Sequence, residues 1–190
     1  MKNRISACIQ DSVENFNSIL KEENLLKNIE QVVQKSIIAF KENNKMLLCG
    51  NGGSASDAQH IAAELSGRFY KDRNPLFAEA LHVNSSYMTA VANDYGYDET
   101  YARMTKAAGR KGDILIGIST SGDSLNVVKA LQKANEIGMT TIGFTGESGG
   151  KMKEICNILI NVPSKDTPRI QEAHILVGHI ICQLIEEELF

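Results

Sequence analysis

Apolar residues near the start of the chain recur at helical spacing. Within residues 3 to 43 the apolar positions are Ile5, Ile9, Val13, Phe16 and Leu20, then Leu25, Ile29, Val32, Val33, Ile37 and Phe40. This pattern predicts two helices, which we expect to be separated near Asn24. Because two helices ahead of a small sheet cannot bury both faces on it, their spare apolar surface indicates self-association.

From Lys45 onward, short apolar runs alternate with helical patterns. The predicted strands cover residues 45–50, 76–81, 113–118, 140–145 and 158–162; the predicted helices cover 54–69, 85–93, 97–108, 124–137 and 168–188, with a helical turn at 151–155. This alternation predicts an α/β fold with a parallel sheet of five strands covered on both faces. Parallel sheets bind ligands at the carboxyl ends of their strands, which directs attention to loops 50–54, 82–86, 119–124, 145–150 and 163–168.

The first of these loops joins a buried strand to a helix through Gly50-Asn51-Gly52-Gly53. Glycines permit close backbone approach, and the free N–H groups of a helix start suit an anion or a polyhydroxylated ligand. We expect Ser54 to open the helix, with Asp57 completing a capping box. The glycine spacing fits neither the dinucleotide-binding fingerprint nor the lysine-containing phosphate loop.

The helix that follows carries a polar row of Asp57, His60, Glu64 and Arg68. Residues four apart share one helix face, so imidazole and carboxylate groups would stand together above the glycine loop. One interpretation is a catalytic or metal site. The other is a solvated helix face with ordinary side-chain pairs.

Two later stretches carry further candidate chemistry. Ser119-Thr120-Ser121-Gly122-Asp123-Ser124 follows a buried strand and opens a helix, so it is either a phosphate cradle or a serine-rich capping turn. The closing helix, with Thr167 as its expected cap, carries Gln171, His174 and His179; we interpret His174 as structural. Its predicted core face comprises Ile170, Ala173, Leu176, Val177, Ile180, Ile181 and Leu184. Loop 145–150 is either part of a site or only a flexible connection.

Composition narrows the class of protein. A chain of 190 residues with net charge −3 and pI near 5.8 is most consistent with one domain and argues against a nucleic-acid partner. The four cysteines are scattered, which favours reduced thiols and a cytoplasmic location. The late apolar stretch 175–185 is too short and interrupted to span a membrane.

The motifs GNGGSASDAQHIAAELSGRF, AND, GISTSGDS and RIQEAHILVGH together resemble the phosphoheptose isomerase family, the sedoheptulose 7-phosphate isomerase branch of the sugar isomerase (SIS) domain proteins. The resemblance covers nearly the whole chain, so it implies a single SIS domain, flavodoxin-like or Rossmann-like, over residues 1–190, with 1–43 as a helical extension. The serine motif alone indicates only the SIS superfamily, whereas its combination with His-x-x-x-Glu and the closing-helix motif is far more specific.

The resemblance implies isomerisation of D-sedoheptulose 7-phosphate to D-glycero-D-manno-heptose 7-phosphate, for lipopolysaccharide core or capsule. It implies a homotetramer with sites at subunit interfaces and one zinc ion per subunit. The implied zinc ligands are His60, Glu64, Gln171 and His179, with Glu64 as base and His179 as acid. The implied substrate-binding residues are Asn51, Gly52, Gly53, Glu64, Asn93, Asp94, Ser119, Thr120, Ser121, Ser124 and Gln171.

Helix geometry adds one inference about this ligand set. Gln171 and His179 are eight residues apart on the predicted closing helix, which separates them by about 12 Å along its axis. Ligands of one zinc ion lie only a few ångströms apart, since each bond is about 2 Å long. Unless the helix start unwinds, we expect the two side chains to come from different subunits.

Two non-catalytic alternatives stay open. A SIS protein that regulates a partner, such as a replication initiator, would not need Glu64. A module that only senses a sugar phosphate would need the serine loop but neither Glu64 nor His179.

Overall fold

The structure, a computed structural model, describes all residues 1–190. The chain forms seven helices and five strands: α1 (Lys2–Ile19), α2 (Glu23–Lys41), β1 (Met46–Gly50), α3 (Gly53–Ser66), β2 (Ala78–Ala80), α4 (Ser85–Tyr95), α5 (Thr100–Ala108), β3 (Ile114–Ile118), α6 (Leu125–Ile137), β4 (Thr140–Thr145), β5 (Ile158–Asn161) and α7 (Thr167–Leu189). Short 3₁₀ turns lie at Tyr97–Glu99 and Gly150–Glu154.

The five strands form one parallel sheet in the order β2-β1-β3-β4-β5. This confirms the predicted α/β fold. Because β1 is buried on both faces, its residues alternate between two cores: Met46 and Leu48 pack with α2, α3 and α7, while Leu47 and Cys49 pack with α5 and α6. The parallel arrangement brings the loops after all five strands to one edge of the sheet.

Several predicted boundaries were wrong, for local reasons. The first two helices separate at residues 20–22, and Asn24 lies inside α2. Gly52, with φ of 56°, precedes α3, which begins at Gly53 without a side-chain cap, so no capping box forms at Ser54. The same helix ends at Ser66, ahead of Gly67, and Arg68 is therefore not on it. Asp166, not Thr167, precedes α7.

The N-terminal helices leave apolar side chains exposed, as their pattern predicts. Ile5, Ile9 and Val13 on α1 are 56%, 61% and 44% exposed. Leu176 and Leu184 of α7 are also exposed in the single chain, so the prediction that they belong to the core face was wrong. None of the helices is both long and apolar enough to cross a membrane.

His174 is fully buried in α7, and its Nε2 donates a hydrogen bond to the Thr145 carbonyl 3.1 Å away. Burial lowers the pKa of this imidazole to about 4. The unfolded chain therefore binds a proton between about pH 6.5 and pH 4 while the folded chain does not, so stability falls as the pH is lowered through this range.

We expect the free energy of unfolding to decrease by about 1.4 kcal/mol per pH unit from this one group across that window. Urea titrations at a series of pH values would measure the slope, and His174→Gln should reduce it. Some slope should remain because burial also lowers the pKa of His82. An unchanged slope in folded His174→Gln protein would refute this account.

Candidate active site

Close packing of α3 against α7 organises the candidate site. Gly178 faces Ile61, and a Cβ added at Gly178 would lie 2.6 Å from the end of the Ile61 side chain. One turn later, the Cys182 thiol lies 3.9 Å from the Ile61 carbonyl oxygen. The glycine therefore lets the two helices approach closely, beside His60 and Glu64 on α3 and His179 on α7.

Three side chains converge where the helices meet. His60 Nε2 lies 3.1 Å from Glu64 Oε1 and 3.4 Å from His179 Nε2, and all three ligand atoms lie within 4.8 Å of one another. The His60 and His179 rings meet edge to face at 4.9 Å between centroids. Ligands about 2 Å from a tetrahedral ion are separated by roughly 3.3 Å, so this donor set fits a metal ion.

Gln171 lies elsewhere along the same helix pair. A Cβ added at Gly53 would lie 2.5 Å from Gln171 Nε2, so the amide stands against the first turn of α3. His179 is about 12 Å farther along α7. One chain thus brings together three of the four predicted metal ligands, and Gln171 is beside the glycine loop.

Asp57 shares the predicted polar row but has a different environment. Its Oδ2 is buried without a hydrogen-bond partner. Burial raises the pKa of the Asp57 carboxyl, and the nearby His60 lowers it less. Arg68 is exposed beyond the end of α3, so the row is shorter than predicted.

The glycine loop is fixed through Asn51. Its side-chain amide forms two hydrogen bonds with the amide of buried Asn126, at 2.8 and 2.9 Å. Asn51 Oδ1 also accepts a hydrogen bond of 3.1 Å from the Tyr97 hydroxyl. These bonds join the loop after β1 to the start of α6, while Gly52 and Gly53 are exposed.

The serine-rich loop is a compact hydroxyl cluster. Ser119 Oγ lies 2.9 Å from Ser124 Oγ and 3.4 Å from Ser121 Oγ. Gly122, with φ of 73°, packs directly on the backbone of Gly149, and a side chain there would collide with it. Loop 145–150 is therefore packed against the serine loop and is not merely a flexible connection.

These two loops and the loop after β5 surround a cavity of about 300 Å³. Its lining residues are Thr120, Ser121, Gly146, Glu147, Ser148, Ser164, Lys165 and Ile170. Lys165 contributes a cation 3.1 Å from Glu147, and sequence reasoning missed both residues. A lysine in a loop that follows a parallel strand was the available signal.

Asn93 and Asp94 lie on the last turn of α4, where both are exposed and Asn93 Nδ2 donates to Asp94 Oδ1 at 2.9 Å. The structure gives them no hydrogen bond to the other candidate residues. Tyr97, which follows α4, does donate a hydrogen bond to Asn51.

The sequence model of the SIS domain matches residues 10–146. A phosphoheptose isomerase from Clostridium acetobutylicum is 52% identical over 190 residues, which cover 100% of this chain and 97% of the relative. The chain belongs to the phosphoheptose isomerase family. This confirms the family inferred from the motifs.

Two solved structures of that family superpose along nearly the whole chain. The phosphoheptose isomerase from Neisseria gonorrhoeae is 40% identical with a TM-score of 0.92, and covers 98% of both chains. The one from Francisella tularensis is 34% identical with a TM-score of 0.93, over 97% of both chains. The helical N-terminus and α7 are therefore part of the family's fold.

We expect this phosphoheptose isomerase family member to bind one divalent metal ion per chain through His60, Glu64 and His179. His60→Ala or His179→Ala should weaken binding at least roughly tenfold, because each removes one strong ligand. Calorimetric titration of chelator-treated protein with Zn²⁺ would measure this. His82→Gln, which changes a histidine outside the cluster, should bind as the unaltered protein does. If both alanine variants bind Zn²⁺ as tightly as the unaltered protein does, the assignment is wrong.

Proposed function

We propose that the chain is an aldose–ketose isomerase that converts D-sedoheptulose 7-phosphate to D-glycero-D-manno-heptose 7-phosphate, for lipopolysaccharide core or capsule. The observation that carries this proposal is the convergence of one carboxylate with two imidazoles on α3 and α7. Similarity to phosphoheptose isomerases over the full chain supports the choice of substrate.

The reaction needs a base that moves a proton between two neighbouring carbons and an acid that serves their oxygens. We assign the first role to Glu64, which removes a proton from C1 of the ketose and returns it to C2. His179 gives a proton to the C2 oxygen as the enediol forms and later accepts one from the C1 oxygen. No electron leaves the substrate, and no redox cofactor is needed.

The proposed metal is zinc, one ion per subunit, held by His60, Glu64 and His179 with Gln171 as a fourth ligand. Imidazole and carboxylate are ligands that zinc prefers, and the Gln171 amide oxygen would be a weak fourth ligand. When bound, the ion supplies a positive charge that stabilises a developing oxyanion. Glu64 would help to hold the ion and would also act as the base.

The substrate would lie between the glycine loop and the serine loop. Ser119, Thr120, Ser121 and Ser124 are proposed to hold its phosphate at the amino end of α6, where hydroxyl and N–H groups are available. Asn51, Gly52, Gly53, Asn93, Asp94 and Gln171 are proposed to bind the sugar. Since the Asn51 amide already bonds Asn126 and Tyr97, its contribution would come mainly from its backbone.

We also propose that the chain self-associates as a homotetramer. A homotetramer would cover the exposed apolar face of α1, and sites at its interfaces would allow Gln171 of one subunit to complete the ligand set of another. We propose a cytoplasmic enzyme with one SIS domain over residues 1–190, residues 1–43 forming its helical extension. Neither a nucleic acid nor a membrane is a proposed partner.

A non-catalytic regulator or a sugar-phosphate sensor is the alternative function. Either could use the serine loop and its cavity. Neither explains why Glu64 stands 3.1 Å from one imidazole in a cluster with a second. That cluster favours the isomerase.

Glu64→Gln should reduce kcat by roughly 10²- to 10⁴-fold, the usual contribution of a general base, while substrate still binds. A coupled assay with sedoheptulose 7-phosphate would measure turnover, and calorimetry would measure binding. Chelator should also abolish turnover of the unaltered protein. Near-normal turnover in Glu64→Gln, or none in the unaltered protein with zinc supplied, would sink the enzymatic proposal.

Mixing inactive variants tests whether the site is shared between chains. Mixed oligomers of Glu64→Gln and Gln171→Ala should recover part of the activity, because a shared site can take both unaltered residues from different subunits. The control mixture of Glu64→Gln with His60→Ala should recover none, since both changes lie on one helix. If neither mixture recovers activity, the site belongs to a single chain.

A further inference from the structure

A buried ion pair lies at the end of the helix pair that carries the metal cluster. Glu186, two turns after His179 on α7, is 1% exposed. Its carboxylate accepts hydrogen bonds from the backbone N–H groups of Phe69 at 3.1 Å and of Tyr70 and Lys71 at 2.7 Å each. The Arg73 Nε donates a fourth bond of 3.0 Å. One carboxylate on α7 therefore fixes the segment that leaves α3.

The same arginine binds the carboxyl end of α3. Arg73 Nη2 donates to the carbonyl of Glu64 at 2.9 Å, and Nη1 donates to that of Leu65 at 2.7 Å. The last carbonyls of a helix have no partner within it, so the guanidinium satisfies them. Arg73 thus connects the backbone of Glu64 directly to Glu186.

The segment that Glu186 holds, residues 69–71, also contacts the metal cluster directly. The Phe69 ring packs against the His179 ring, with 5.8 Å between centroids. Displacing the backbone at Phe69 would remove the aromatic ring that packs against His179. The ion pair is consequently connected both to Glu64, through a backbone hydrogen bond, and to His179, through an aromatic contact.

The free-energy cost of burying these two charges favours a role for the pair other than stability. Both side chains are only 2% exposed, and removing an ion from water costs several kcal/mol that an apolar contact would avoid. Burial raises the pKa of the Glu186 carboxyl, but the three backbone N–H groups and Arg73 outweigh burial and leave the pKa below its ordinary value. The carboxylate stays charged, and its bonds have fixed directions that apolar packing lacks.

We propose that Arg73 and Glu186 are positioning residues, which hold the carboxylate of Glu64 and the imidazole of His179 at the separation that metal binding and proton transfer require. This inference rests on the proposed function for the roles of Glu64 and His179. Neither positioning residue touches the substrate. Their effect passes through the end of α3 and through Phe69.

The test uses Arg73→Lys and Glu186→Gln in the full-length protein. Lysine keeps the charge, but its single nitrogen cannot reproduce the three nitrogens with which the guanidinium reaches Glu186 and two carbonyls, and glutamine removes the charge with little change of shape. We expect Zn²⁺ to bind roughly 10- to 100-fold more weakly, and kcat to fall by a similar factor with KM little changed, as for other residues that orient ligands. Calorimetry and the coupled assay would measure these effects.

Arg110→Lys is the matched control. Arg110 Nη1 also donates to carbonyls at the end of a helix, that of Ala107 in the last turn of α5 and that of Gly109 just after it, far along the chain from the cluster. It should lower the melting temperature at most slightly and leave Zn²⁺ affinity and kcat unchanged. The same losses in this control would overturn the proposal.

Unchanged Zn²⁺ affinity and kcat in folded Arg73→Lys protein, measured well below its melting temperature, would reduce the pair to a structural role. If Glu186→Gln does not fold, Arg73→Lys decides alone. Failure of the proposed function appears separately, as unaltered protein that binds Zn²⁺ but does not isomerise the substrate. In that case the Zn²⁺ affinities still test the positioning role.

Discussion

The close approach of α3 and α7 is the constraint on which the candidate site depends. Two imidazoles and a carboxylate can meet only if their helices pack at short distance, and a single missing side chain, at Gly178 against Ile61, permits that distance. A larger residue would force the helices apart in a core already filled, at a typical cost of about 1–3 kcal/mol. The same displacement would separate His179 from His60.

The helix α7 contributes residues to the cavity beside the serine loop, to the surroundings of the glycine loop and to the metal cluster. Its first turn contributes Ile170 to the cavity beside the serine loop, and Gln171 stands against the glycine loop. Its middle carries His179, and its last turns carry Glu186. A rigid helix of 23 residues therefore fixes the distance between the candidate phosphate pocket and the candidate metal cluster. The parallel sheet fixes the edge of the fold at which the loops of the pocket lie.

The sequence predicted the sheet and its helices well because buried strands and amphipathic helices have strong, local patterns. It also predicted that His60 and Glu64 share a face, since they lie one turn apart. The predicted carboxyl end of α3 was wrong because the apolar pattern runs on to Phe69, whereas the helix ends ahead of Gly67 and its last carbonyls bind Arg73. The place of Gln171 beside Gly53 and the cation of Lys165 depend on how distant segments pack, which no local pattern contains.

The N-terminal helix α1 would link the proposed self-association to the first turn of α7. The apolar side chains of its first three turns are exposed, whereas polar side chains bind α7: Ser12 Oγ donates to Glu172 at 2.8 Å, and Asn15 Nδ2 donates to the Arg169 carbonyl at 3.0 Å. Arg169 in turn donates to the Cys8 carbonyl at 2.8 Å. These contacts flank Gln171 on both sides in sequence. Packing α1 against another subunit would therefore restrain the very turn that presents Gln171, so assembly and completion of the ligand set would be one event.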